Sequence, residues 1–116
     1  MATFSKRLLS GSTDGKQIVI ANTATAGTLI HTCVSGTSSL DEIWIYAVNS
    51  STSAVKLTIE YGGTTANTDH IESTIPAEAG LTLVVPGLPM NNSLVIRGFA
   101  GTANVINISG YVNRIV

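Results

Sequence analysis

The sequence predicts an all-β protein: a β-sandwich of eight to nine short strands, jelly-roll-like or Greek-key, with little or no helix. Three observations predict it. Runs rich in Val, Ile, Thr and aromatic residues recur, with turn residues about every 8–12 positions. No segment carries apolar residues at helical spacing over a useful length. Charged residues are only 11% of the chain, against an ordinary share of roughly 25%, while Thr and Ser together make up roughly a quarter. Thr suits strands, and Ser, Gly and Asn suit turns. A closed barrel is the alternative arrangement.

At 116 residues, the expectation is one domain over residues 1–116 that buries roughly two-thirds of its unfolded surface. Residues 1–10 form an extended N-terminal arm or an edge strand, carrying Phe4, Leu8 and Leu9. Gly11 to Gly15 turn the chain into the apolar run Gln-Ile-Val-Ile at 17–20. Small residues over 22–27 form a loop, and 28–35 the next strand. Residues 40–48 and 54–61 are two strongly apolar runs. Asp69 to Ile75 make a weaker strand, and 81–85 a strand closed by Pro86 and Pro89. Residues 93–99 and 105–112 complete the set. All three prolines fall in predicted turns, where they cost no ladder bond.

The two runs at 40–48 and 54–61 flank the polar loop Asn-Ser-Ser-Thr-Ser and read as a β-hairpin. Paired symmetrically about Ser51, Ile43, Ile45 and Ala47 meet Ile59, Leu57 and Val55, an apolar match that a one-residue slip destroys. The other face then holds Glu42, Trp44, Tyr46, Val48, Lys56, Thr58 and Glu60. It is greasier than a solvated face needs to be, and it sets Glu42 against Glu60 unless Arg97 or a neighbouring chain's basic residue intervenes. Such a face implies a cover: another subunit, a partner protein, or the N-terminal arm through Phe4 and Leu8. The candidate protein–protein interface is Phe4, Arg7, Glu42, Trp44, Tyr46, Lys56 and Glu60.

Chemistry is sparse. The net charge of −1 draws neither nucleic acid nor an acidic membrane. One cysteine, Cys33, excludes an intrachain disulfide and reads as a core thiol. Asp69, His70 and Glu72 match no established metal spacing. His31 and Cys33 share a strand face as packing rather than as a dyad. No nucleophile elbow or phosphate loop is present. The expectation is a non-enzyme with no catalytic, cofactor or metal residues, no small-molecule substrate, no nucleic acid and no membrane partner. Lys6-Arg7 followed by only Leu8-Leu9 does not make a secretory signal, so a chain made in the cytoplasm is expected. The Asn-x-Ser matches at Asn49, Asn91 and Asn107 are then chance.

Several stretches resemble small structural proteins of tailed bacteriophages, of the head-decoration or capsid cement type, including those of cyanobacterial phages. They are Ser-Gly-Ser-Thr-Asp-Gly at 10–15, Gly-Thr-Leu-Ile-His at 27–31, Leu-Asp-Glu-Ile-Trp-Ile-Tyr-Ala-Val-Asn at 40–49, Ile-Pro-Ala-Glu-Ala-Gly at 75–80 with Val-Val-Pro-Gly at 84–87, and Gly-Tyr-Val-Asn-Arg at 110–114. They are strand and turn text and carry no site residues across. The resemblance implies a protein on the virion exterior that binds the major capsid protein, self-associates as a homo-dimer or homo-trimer, and bridges capsid subunits. A lectin-like or receptor-binding module of a tail or fibre, or a tail or connector subunit, is the alternative function.

Overall fold

In a computed structural model describing residues 2–116, the chain forms nine strands and no helix. They are β1 (Phe4–Leu8), β2 (Ile18–Val19), β3 (Thr28–Thr32), β4 (Leu40–Asn49), β5 (Val55–Tyr61), β6 (His70–Ile75), β7 (Thr82–Met90), β8 (Val95–Ala100) and β9 (Ile106–Ile115). One antiparallel sheet runs β1-β9-β4-β7, with β2 continuing the β1 edge of β9; the other runs β3-β8-β5-β6. Apart from β1–β2 and β5–β6, every connection crosses from one sheet to the other. With β1 and β2 counted as one interrupted edge strand, this is the order of a jelly roll, two interlocked Greek keys. Of the arm predicted over residues 1–10, Met1 lies outside the described residues; the rest supplies edge strand β1.

The core is aliphatic. Ile18, Ile43, Ile45, Ala47, Val85, Ile106, Ile108 and Val112 of one sheet face Ile30, Val55, Leu57, Ile59, Ile75, Ile96 and Ala100 of the other, with Leu9, Ile20 and Cys33 closing its margins. β4 shows the period-2 logic most plainly. Its odd residues, Asp41 to Asn49, are buried and its even ones, Leu40 to Val48, are half-buried.

Two expectations give way. Residues 40–48 and 54–61 are not a hairpin. β4 bonds to β9 and β7, while β5 bonds to β6 and β8. The loop between them crosses the core. Ile43, Ile45 and Ala47 do share the core with Val55, Leu57 and Ile59, but the two sets face each other from opposite sheets. Apolar complementarity is the same whether two strands lie side by side or face to face, so pattern matching could not separate the cases. Glu42 and Glu60 therefore never meet. The prolines also depart from expectation: Pro86 and Pro89 lie within β7. They are tolerated because β7 is an edge strand whose pairing with β4 is broken by two register shifts.

The crossing loop is tied by Asn49, which is 1% exposed. Its amide donates to the carbonyls of Ser53 (2.8 Å) and Ile75 (3.0 Å) and accepts from the backbone and hydroxyl of Ser51 (2.9 and 2.7 Å). Asn49→Ala removes the side-chain donor to the buried Ile75 carbonyl and the acceptor of both Ser51 bonds, while the exposed Ser53 carbonyl keeps the Ser51 hydroxyl. It should lower unfolding free energy by about 1–3 kcal/mol, seen as a lower urea midpoint at unchanged slope.

Candidate functional site

Two groups of residues carry unusual chemistry: a polar cluster inside one end of the sandwich, and the outer face of the five-stranded sheet.

The internal cluster is centred on Asp41, fully buried on the inner face of β4. Arg114 on neighbouring β9 binds it through two contacts, Nε to Oδ1 at 2.7 Å and Nη2 to Oδ2 at 3.0 Å. Val34 donates its backbone N–H at 3.0 Å, and His31 Nε2 lies 2.9 Å away. The Ser10 N–H donates to His31 Nδ1 at 3.0 Å. A neutral imidazole with an accepting Nδ1 carries its proton on Nε2, so His31 donates to Asp41. Burial pushes the Asp41 carboxyl up, but the hydrogen bonds from Arg114, His31 and Val34 outweigh it and hold the group below 3.8.

The ligand-type atoms of His31, Cys33 and Asp41 lie within 4.8 Å of one another, which invites a metal or a Cys–His–Asp reading. The bonding argues against both. Asp41 is engaged by four donors, two of them from a guanidinium that repels a cation. Both His31 nitrogens are committed, so neither can ligate a metal or take a proton from Cys33. Burial, and then the Asp41 charge, push the Cys33 thiol up to about 12, the reverse of what activates a nucleophile. The cluster locks the fold, tying β3 of one sheet to β4 and β9 of the other. The sequence could have revealed Asp41 by parity alone: it alternates in step with Ile43, Ile45 and Ala47.

Asp69, His70 and Glu72 do not converge. Asp69 Oδ2 accepts from the Thr65 N–H at 3.0 Å, His70 packs edge-on to Phe99, and Glu72 pairs with Lys56 at 3.1 Å. A shallow depression of about 250 Å³ lined by Leu40, Pro89, Met90 and Asn91 holds no titratable side chain.

The predicted interface residues separate. Glu42, Trp44 and Tyr46 lie on the outer face of the five-stranded sheet, as does Phe4, 69% exposed. Arg7 pairs with core-facing Val112, so it points to the other side of the β1 edge and donates to Ser5. Lys56 and Glu60 belong to the opposite sheet because β5 does. Glu60 is fully buried, which removes it as a surface contact. Thr25 Oγ1 and the Gly27 N–H (2.6 Å) donate to its carboxylate, folding the loop before β3 over that sheet. The arm does not cover Trp44 either: β1 extends the sheet sideways, leaving Leu8 56% exposed.

What covers part of Trp44 is its own sheet. Its ring lies against Gly87 of β7, where a Cβ would stand 2.7 Å from Trp44 Cζ2, so only glycine fits. On the other side it stacks on Tyr111 of β9, centroids 6.2 Å apart and planes at 14°. Lys6 of β1 sets its ammonium 4.7 Å over the Tyr111 ring. Glu42 Oε1 accepts from Trp44 Nε1 (2.7 Å) and Asn113 Nδ2 (3.0 Å), and these bonds, Trp44's first, hold Glu42 below 4.5. Lys6, Tyr111 and Asn113 escaped the sequence reading because strand parity names a face but not the neighbouring strand.

The resulting face has rows of three across β1, β9 and β4: Phe4–Ile115–Leu40, Lys6–Asn113–Glu42 and Leu8–Tyr111–Trp44. Only Lys6 and Glu42 on it are charged.

Compared with known proteins, the chain matches no family model, no curated protein and no solved structure.

Two outcomes follow for the cluster. Asp41→Ala should cost about 3–5 kcal/mol, because it strands a partly buried guanidinium. Because the folded carboxyl titrates below the unfolded one, the Asp41 contribution is complete above 3.8 and is lost as pH falls through the lower folded value. Urea midpoints across that range should decline in the wild type and be flatter in the variant. Separately, Cys33 should resist a thiol reagent in the native protein and react promptly in denaturant; fast native labelling would contradict its burial.

Proposed function

We propose that this protein is a non-enzymatic structural component of a virion, a capsid cement or decoration protein. It binds the outside of an assembled phage head and stabilises it by bridging units of the major capsid protein. The observation that carries the reading is the outer face of the five-stranded sheet. Antiparallel sheets usually turn a polar face to water. Here Phe4, Leu8, Trp44, Tyr46, Leu83 and Tyr111 lie there with two charges between them. A surface of that kind favours association over free solution. The phage-like strand and turn text of the sequence points to the same class of protein. Jelly rolls recur in viral capsid and lectin domains, and the fold by itself fixes no function. His31, Asp41 and Glu60 are already committed to structural bonds, and burial raises the Cys33 thiol, which suits a structural role.

One observation favours a second reading, a lectin-like module. Trp44 and Tyr111 form a stacked aromatic pair with nearly parallel planes beside the polar groups of Glu42 and Asn113. A glycan array with Trp44→Ala as control separates the two: a sugar bound by the wild type and lost in the variant selects the lectin.

The decoration reading is tested on particles. Deleting the protein should yield heads that assemble but release DNA on heating or osmotic shock, and added purified protein should restore them. Electron microscopy should place it on the head exterior. Heads as robust without the protein as with it overturn the reading.

A further inference from the structure

We propose that the outer face of the five-stranded sheet is the seat of a second copy of this chain, packed face to face about a two-fold axis running along β9. The inference rests on the reading of the protein as an assembly component and names the partner and its orientation.

The argument is one of register. β9 is flanked by β1 on one side and β4 on the other, and the paired residues form straight rows. A two-fold axis laid along β9 exchanges the β1 and β4 sides. Lys6 of one copy then lies over Glu42 of the other, and Glu42 over Lys6. In the next row Leu8 lies over Trp44, and in the row on the other side Phe4 lies over Leu40. The β9 residues Tyr111 and Asn113 meet their own counterparts at the axis. Every apolar side chain of the β1 edge finds an apolar partner, and the face's one cation finds its one anion. An axis across the strands at the Lys6 row does the opposite, setting Lys6 on Lys6 and Glu42 on Glu42. The face is thus self-complementary in one isologous arrangement, the property a closed dimer needs.

Within the chain neither charge has an ionic partner: the ion pairs among the described residues are His31–Asp41, Arg114–Asp41 and Lys56–Glu72. The axis superposes β1, β9 and β4 and leaves β7 beyond the partner's β1 edge. β4 and β9 are ten residues long and β1 five, so at ~3.3 Å per residue and ~4.8 Å between strands the overlapping strands offer roughly 400 Å² per copy. A total of about 800 Å² is the size of a weak, reversible interface. Aligned sheets cross at about 30°, which keeps the middle rows, Lys6 on Glu42 and Leu8 on Trp44, in register and rotates the end rows apart.

Sedimentation equilibrium of the purified protein tests this. The wild type should be a monomer–dimer system. Lys6→Glu makes the face wholly acidic and Glu42→Lys wholly basic; each should weaken dimerisation at least about tenfold in low salt, less in high salt. Because the axis sets residue 6 against residue 42 of the partner, mixing the two variants should restore the dimer. So should the double exchange Lys6→Glu with Glu42→Lys. Circular dichroism and melting confirm that each variant is folded. A strictly monomeric or a trimeric wild type overturns the pairing, as do single variants that dimerise like wild type or a mixture that stays monomeric. None of those outcomes touches the thermal protection of heads, so this inference and the decoration reading fail separately.

Discussion

The Asp41 carboxylate is the contact on which the arrangement of both sheets depends. It sits inside the sandwich with no exposure, and a bare carboxylate there is prohibitive in free energy. Four donors make it tolerable: two from the Arg114 guanidinium, one from His31 and one from the Val34 backbone. They come from β9 of the same sheet, from β3 of the opposite sheet and from the segment after β3. The Ser10 N–H, bonded to the far side of His31, draws in the connection between β1 and β2. One charge therefore fixes where four segments meet. Such a cluster adds less net stability than apolar packing of the same volume. Its effect is on which arrangement is tolerated: an alternative packing that separates Asp41 from either Arg114 or His31 leaves a buried charge exposed to the full desolvation penalty.

Asn49 does the matching work at the other end of the same strand. The inner face of β4 reads Asp41, Ile43, Ile45, Ala47, Asn49, a polar lock at each end with aliphatic packing between. The aliphatic middle supplies most of the free energy, at roughly 1.5–3 kcal/mol for each fully buried large side chain. It is indifferent to the partner, since one Ile packs on another from many registers. The two polar ends are not, because each needs particular donors or acceptors within about 3 Å. Stability and specificity are thus divided along one strand.

This division explains what the sequence made legible. Strand positions, the apolar core and the two-faced character of residues 40–49 follow from alternation, and all appear in the structure. Partnership does not follow from alternation. Residues 40–48 and 54–61 read as a hairpin because their apolar faces match, and those faces do touch, but across the core. The error moved Lys56 and Glu60 onto the wrong sheet and hid Lys6, Tyr111 and Asn113. Pro86 and Pro89 likewise sit in a strand, because edge position is a property of sheet order. Asp41 and Asn49 were within reach, since both keep the inner-face parity of Ile43. A polar residue on an apolar parity is the mark of a buried lock.

The outer face of the same strand follows from the same constraint. With Asp41 fixing one end of β4 to β9 and β3, and Asn49 tying the other end to Ile75 of β6, the even residues are presented in a rigid row. Glu42 then uses one oxygen to hold both Trp44 and Asn113, and Gly87 and Tyr111 confine the indole from either side. Side chains already restrained lose little rotamer entropy when a partner covers them, and that loss is a large part of what association costs. The aromatic centre of the face is therefore prepared for contact before any contact is made. Phe4, Lys6 and Leu8 on β1 are exposed and held only by the edge of β9. A partner that covers the face orders the edge strand and leaves the centre as it is, so an interior polar lock and a preorganised exterior are two consequences of one strand's placement.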